Sequence, residues 1–115
     1  MQAPLGRLAS MGSRTQLSIQ TLKVLRPFLT HPRKELSGAE VIRISGLASG
    51  TAYPIMLRLE RTGMLTSHWE KGDPKKLGRP LRRYYRITTI AAAEAREALL
   101  EVAELAGVLK PAEAL

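Results

Sequence analysis

The sequence predicts a small α+β domain, mainly helical, that carries one β-hairpin and ends in a long helix. Two short amphipathic segments are joined by a turn containing Gly46. Two segments with strand-like alternation, 64–70 and 81–87, flank a loop rich in Gly and Pro. Residues 89–115 begin with apolar residues that repeat at alternating spacings of four and three.

Composition narrows the class of protein. A chain of 115 residues with 44% hydrophobic residues forms one small domain. It has no cysteine and two histidines, which leaves no thiolate or His-based metal site. No apolar run approaches the ~18 residues of a membrane span, and the N-terminus lacks the apolar core of a secretory signal. We expect a cytoplasmic protein without a cofactor and without a membrane partner.

The net charge of +8 is unevenly distributed. Residues 71–86 carry seven basic residues and one acid, whereas residues 87–115 carry two basic residues and five acids. A strongly basic chain binds a polyanion, of which nucleic acid is the first candidate and an anionic membrane surface the second. The asymmetry predicts one face for nucleic acid and another for protein.

The first half of the chain predicts a leading arm and three helices. Residues 1–14 are expected to form a flexible arm, and residues 15–29 a helix that Pro27 kinks or ends. Ser37 and Glu40 have the spacing of a capping box at the start of the next helix, 38–45. Ser49 is expected to cap the third helix, 49–62, and two capped helices with a short Gly-containing turn are typical of a helix-turn-helix.

The hairpin completes the predicted architecture. Leu65, Trp69, Tyr85 and Ile87 are expected to face inward, with Arg82, Tyr84 and Arg86 outward. A basic hairpin downstream of a helix-turn-helix predicts a winged helix-turn-helix with a two-stranded wing, followed by a C-terminal dimerisation helix. The expected divisions are 1–14, 15–88 and 89–115.

The third helix and the wing are the candidate DNA-binding elements. The start of a helix offers amides and a positive dipole end to phosphates, and wing cations suit phosphates or the minor groove. The candidate DNA-binding residues are Ser49, Gly50, Thr51, Tyr53, Pro54, Arg58, Lys75, Lys76, Arg79, Arg82 and Arg83. The alternatives are a buried Tyr53, a merely solvated Thr51, a pairing of Arg58 with Glu60 or another surface acid, and a solvated basic loop. Because the side chains of Arg82 and Arg83 lie on opposite faces of the predicted strand, at most one of them points in the same direction as the wing tip.

The final helix has an apolar face that covers either this domain's own core or a second subunit. Two paired subunits would place two DNA-binding domains on a two-fold symmetric DNA site, which favours a homodimer. The candidate interface residues are Ala91, Ala95, Ala98, Leu99, Val102, Leu105 and Ala106. The acidic flank of this helix argues against a membrane-surface role.

The sequence gives no support for an enzyme. It contains no GxxxxGK[ST] phosphate loop, and no Ser-His-Asp set or pocket carboxylate pair is suggested. His68, beside Trp69 on a predicted strand, is interpreted as structural.

The chain resembles the PadR family of bacterial winged-helix transcriptional regulators. The matching segments are TLKVLRPFLTHPRKELSGAEV (21–41), SGLASGTAYPIMLRLERTGML (45–65), SHWEKGDPKKLGRP (67–80) and RRYYRIT (82–88). The resemblance implies a dimer held by the C-terminal helix, a recognition helix bearing Thr51 and Tyr53, and promoter repression relieved by a signal. Two departures are Pro27 in the first helix and Ala91 in place of the family's Gly. Effector pockets of the family often use aromatic side chains, and the final helix has none, so a small-molecule effector is unsupported.

These observations predict a sequence-specific, double-stranded-DNA-binding regulator, and a dimeric repressor that occludes a promoter. Two rival functions remain. One is a DNA-binding role in plasmid or phage replication, partition or chromosome architecture. The other is a winged-helix protein–protein interaction module, against which the basic wing argues.

Overall fold

A computed structural model describes residues 17–109 of the chain. The elements in chain order are α1 (Ile19–Thr30), β1 (Leu36–Ser37), α2 (Gly38–Ser45), α3 (Ser49–Arg61), β2 (Leu65–Trp69), α4 (Pro74–Leu77), β3 (Arg83–Ile87) and α5 (Thr89–Leu109). The expected arm, 1–14, and the end of the expected tail, 110–115, lie outside the described residues.

Helix α1 differs from expectation at both ends. It starts after Ser18, whose side chain accepts a hydrogen bond from the Thr21 amide at 3.1 Å. It also continues past Pro27 to Thr30. Proline removes one intrahelical hydrogen bond, but Val24, Leu25 and Phe28 are fully buried on the same helix. Their packing holds the last turn in place.

The helix-turn-helix forms as predicted around its capping box. The Glu40 amide donates to Ser37 Oγ at 3.2 Å, and Glu40 Oε1 accepts from the Ser37 amide at 2.9 Å. Gly46 ends α2 at φ 75°, a left-handed conformation that glycine adopts without strain. The predicted cap of α3 is wrong by one residue. Ala48 is the N-cap and makes no side-chain cap bond, while Ser49 is the first helical residue.

The sheet has three antiparallel strands in the order β1-β3-β2, one more than the hairpin predicted. Strands β2 and β3 pair Leu65 with Ile87 and Trp69 with Arg83, so the hairpin itself is confirmed. Strand β1 adds Leu36 opposite Tyr85. A strand of two residues is too short to show alternation in the sequence.

The core lies between this sheet and the helices. Phe28, Met56 and Leu65 are among its fully buried side chains. Tyr85 and Ile87 face inward as predicted. The expectation that Trp69 is buried in the core is wrong, because 57% of its surface is exposed. Its strand position gives it the inward face, but it lies at the end of the hairpin, past the helices that cover Leu65.

Helix α5 changes its environment along its length. Thr88 Oγ1 accepts from the Ala91 amide at 3.4 Å at the start of the helix. Ala91, Ala95 and Ala98 are buried within the single chain, where α5 packs on α1. Their assignment to a dimer interface is therefore corrected: they form the domain's own core. Leu99 is half-buried, and Val102, Leu105 and Ala106 are exposed.

Candidate nucleic-acid interface

Helix α3 buries one face and exposes the other. Its buried side chains are Ala52, Ile55, Met56 and Leu59. Gly50, Tyr53, Pro54, Leu57 and Arg61 line the exposed face. Leu57 and Arg61 are not among the residues predicted from the sequence, although their spacing of three or four residues from Pro54 and from each other signals a shared face.

The start of α3 is open to a ligand. Ser49 and Gly50 are exposed, and a Cβ placed on Gly50 would meet nothing within 4 Å. The Thr51 amide is bonded to the Ala48 carbonyl at 3.0 Å, and its side chain is half-buried. Anion binding at this end would therefore fall to Ser49 and Gly50.

Tyr53 connects α3 to the start of α2. It is 48% exposed, so the alternative of a buried Tyr53 is excluded. Its ring lies against Gly38, where an added Cβ would come within 3.1 Å of a ring carbon. Tyr53, Gly38, Trp69 and Arg82 line one cleft of about 380 Å³ between α2, α3 and the wing. Helix α3 and the wing therefore border the same surface.

Arg58 points away from this cleft. Its Nη2 lies 3.4 Å from Thr21 Oγ1, near the start of α1. The alternative that Arg58 pairs with Glu60 is not realised, because Glu60 pairs with Arg83 instead. DNA contact by Arg58 stays a prediction.

The wing loop, which the sequence predicts only as rich in Gly and Pro, contains a short helix, α4. Asp73 begins it by accepting from the Lys75 amide at 3.0 Å. Gly78 ends it at φ 70°. Lys75 and Lys76 are exposed on α4, and neither forms an ion pair within residues 17–109. Contact of these two lysines with phosphates stays a prediction.

Arg79 is occupied by a partner within the wing. Its guanidinium donates to both carboxylate oxygens of Glu70, at 2.7 and 2.8 Å. Glu70 also accepts from the Arg82 amide at 3.1 Å. The hydrogen bonds from Arg79 lower the pKa of Glu70 to about 2. Arg79 thus closes the base of the wing loop, and its DNA contact stays a prediction.

Arg82 and Arg83 differ in environment. Arg82 is exposed beside the cleft. Arg83 is half-buried; its Nη2 lies 3.2 Å from Glu60 Oε2, and its guanidinium lies 5.1 Å from the centroid of the Trp69 ring. Of the two, Arg82 has the freer side chain for a phosphate.

His68 lies on the opposite face of the hairpin, next to Glu35. Its Nε2 is hydrogen-bonded to Glu35 Oε2, and this bond raises the pKa of His68. Its ring lies 6.1 Å from the ring of Tyr84. Through these contacts, His68 on β2 reaches across β3 to Glu35, the residue just before β1. Within residues 17–109, no group of three potential metal ligands exists, and no helix is long and apolar enough to cross a bilayer.

Solved structures share this fold. A DNA complex of MepR from Staphylococcus aureus matches with a TM-score of 0.61 and 12% identity, over 90% of this chain and 78% of that one. The heme sensor PefR from Streptococcus agalactiae, in complex with heme, matches with a TM-score of 0.65 and 17% identity, over 96% and 71%. A PadR family transcriptional regulator from Eggerthella lenta matches with a TM-score of 0.59 and 27% identity, over 95% and 94%.

A search of the curated proteins finds no match. The model of the transcriptional regulator PadR-like family matches residues 33–97, more than half of the 115-residue chain. This span runs from β1 through both helix-turn-helix helices and the wing into α5. The chain therefore belongs to the PadR-like family and is a DNA-binding transcriptional regulator.

Proposed function

We propose that this protein is a dimeric repressor that binds an operator through α3 and the wing and blocks access of polymerase to the promoter. The observation that carries the proposal is the shared cleft, in which Tyr53 of α3 and Arg82 of the wing lie on one surface. Elements that share a surface can contact the same duplex at once. Helix α3 would enter the major groove while the wing follows the backbone or the minor groove.

Charge supports this orientation. Apart from Arg58, which points away from the cleft, the exposed cations on α3 and on the wing loop are Arg61, Lys71, Lys75, Lys76 and Arg82. Each cation that neutralises a phosphate releases counterions, which gives affinity that depends on salt and not on sequence. Base contacts would come from the first two turns of α3, where Tyr53 and Pro54 are exposed.

A homodimer is supported by the second half of α5. The apolar stripe that buries Ala95 and Ala98 in the core continues to Val102, which is 37% exposed, and Leu105, which is 59% exposed. The single chain leaves this end of the stripe uncovered, and a second copy of the helix would cover it. Two recognition helices would then meet two half-sites of a two-fold operator.

Occlusion is the mechanism of repression that fits this architecture. Within residues 17–109, every helix and strand belongs either to the winged helix or to α5, so DNA occupancy itself is the simplest means of control. Since the target is promoter DNA of a bacterial cell, the proposed site of action is the cytoplasm.

The proposal is tested by fluorescence-anisotropy binding to DNA from upstream of the protein's own gene and to a shuffled duplex of equal composition. Titrations at several salt concentrations separate phosphate affinity from base reading. We expect tighter binding to the upstream duplex at physiological salt, and a stoichiometry of two chains per duplex. Equal and steeply salt-dependent binding to both duplexes, followed by failure to select any preferred sequence from a random pool, would instead indicate an architectural role.

A further inference from the structure

The end of α3, the proposed recognition helix, is tied to both strands of the wing through one carboxylate. Glu60, the residue before the last in α3, accepts a hydrogen bond from Ser67 Oγ on β2. It also accepts one from Arg83 Nη2 on β3, at 3.2 Å. The Arg83 guanidinium in turn lies over the Trp69 ring, 5.1 Å from its centroid. A single helix side chain therefore reaches each strand of the hairpin.

Strand register explains why these groups meet. Trp69 is directly opposite Arg83 in the β2–β3 ladder, and Ser67 is opposite Tyr85. Alternation places all four on the face of the sheet that looks toward the helices. Tyr85 is buried, whereas Trp69 is largely exposed. The hairpin is thus packed in the core at Tyr85 and extends out of the core at Trp69. Glu60 contacts the hairpin between these two positions.

The position of Glu60 on α3 is unfavourable for a carboxylate by itself. The C-terminal end of a helix carries partial negative charge, which disfavours an acidic side chain. The side chains of Arg83 and Glu60 are 32% and 28% exposed, and a partly exposed ion pair contributes little to global stability. The Glu60–Arg83 ion pair is therefore better explained by a role in orienting the helix and the hairpin than by a contribution to the free energy of unfolding.

We propose that Glu60, Arg83 and Trp69 form a brace that fixes the angle between the recognition helix and the wing. Arg83 is then a positioning residue and not a phosphate contact, while Arg82 remains free for the backbone. The inference rests on the proposed function, because a fixed angle matters when both elements dock on one duplex. Elements that are held in place before binding lose less entropy when they bind.

The test compares Glu60→Gln and Arg83→Lys with the wild-type protein. The probes are a duplex selected from a random pool by the wild-type protein and a scrambled duplex of the same composition. Glu35→Gln is the matched control, because it removes one carboxylate that also contacts β2, through His68 on the opposite face. Thermal melting identifies any variant that fails to fold, and Ser67→Ala provides a milder break in the same brace.

We expect both brace variants to bind the selected duplex about tenfold more weakly, because the wing angle is no longer fixed before binding. Binding to the scrambled duplex should stay within about twofold of wild type, and the salt slope should be unchanged, since no phosphate contact is removed. The chain has one tryptophan, so Trp69 fluorescence should change as Arg83 leaves the ring. The Glu35→Gln control should bind both duplexes as the wild type does.

Two results would overturn the brace. If Glu60→Gln tightens binding to both duplexes, the freed Arg83 is a phosphate contact. If Arg83→Gln, which removes the charge that Arg83→Lys keeps, lowers the salt slope by about 0.9, the same conclusion follows. Failure of the proposed function is distinguishable, since it appears in the wild-type protein as an absence of preference for any selected duplex.

Discussion

Arg79 and Glu70 close the wing loop with two parallel hydrogen bonds, of 2.7 and 2.8 Å. The same carboxylate accepts from the amide of Arg82, the residue just before β3. Parallel N–H···O bonds between Arg and a carboxylate combine charge with a fixed orientation. The most basic segment of the chain therefore uses one of its arginines to build the wing, on which Lys75 and Lys76 are exposed.

This pair predicts how the wing responds to acid. The pKa of Glu70 is lowered to about 2 from its usual 4.5. A lowered folded-state pKa gives stability that is fully present above pH 4.5 and is lost as the pH falls through about 2. We expect the carboxyl resonance of Glu70 to titrate near 2 by NMR and to move toward 4.5 in Arg79→Gln. An unchanged titration in that variant would show that Arg79 does not set the pKa.

The lysines of α4 are expected to supply salt-dependent affinity. Replacing Lys75 and Lys76 together with Gln should reduce the slope of log K against log salt by about 1.8, which is about 0.9 for each phosphate that is no longer neutralised. Specific and shuffled duplexes should weaken by the same factor, because phosphate contacts carry no sequence information. The control is Lys23→Gln with Arg26→Gln, which removes equal charge from exposed positions on α1. An equal reduction of the slope in this control would assign the effect to net charge alone.

Tyr53 is expected to act on DNA and not on folding. Because the side chain is 48% exposed, Tyr53→Ala should change the free energy of unfolding by less than about 1 kcal/mol. Binding to the selected duplex should weaken by about 1–3 kcal/mol. Tyr53→Phe separates the contribution of the hydroxyl to binding from that of the ring, and thermal melting shows whether each variant is folded. Unchanged affinity in Tyr53→Ala would make the residue a packing partner of Gly38 only.

The dimer is expected to depend on one face of α5. Leu105 is 59% exposed on the apolar stripe, and Leu100 is 63% exposed on the opposite side of the helix. Leu105→Glu should therefore yield monomers and weaken operator binding, because it places a charge where a second copy would pack. Leu100→Glu adds the same charge at similar exposure and should leave the dimer intact. Sedimentation velocity measures both, and a dimer that tolerates Leu105→Glu would exclude this face as the interface.

Local patterns in the sequence determined much of the fold. The Ser37–Glu40 capping box and Gly46 set the ends of α2 because capping involves residues within one or two turns of each other. Alternation determined the hairpin and the inward faces of Tyr85 and Ile87. The family was also recognisable from contiguous motifs, and the family model confirms it.

Tertiary structure alone decided which charges are free. Glu70 is nine residues from Arg79, and Glu60 is twenty-three residues from Arg83; chain folding brings these partners together, and no local periodicity signals them. The burial of Ala95 and Ala98 against α1 was decided in the same way, because an apolar stripe fits a core and a dimer equally well. The sequence by itself determined the elements and the basic character of the wing. Long-range contacts decided that Lys75, Lys76 and Arg82 are exposed while Arg79 and Arg83 hold the wing in shape.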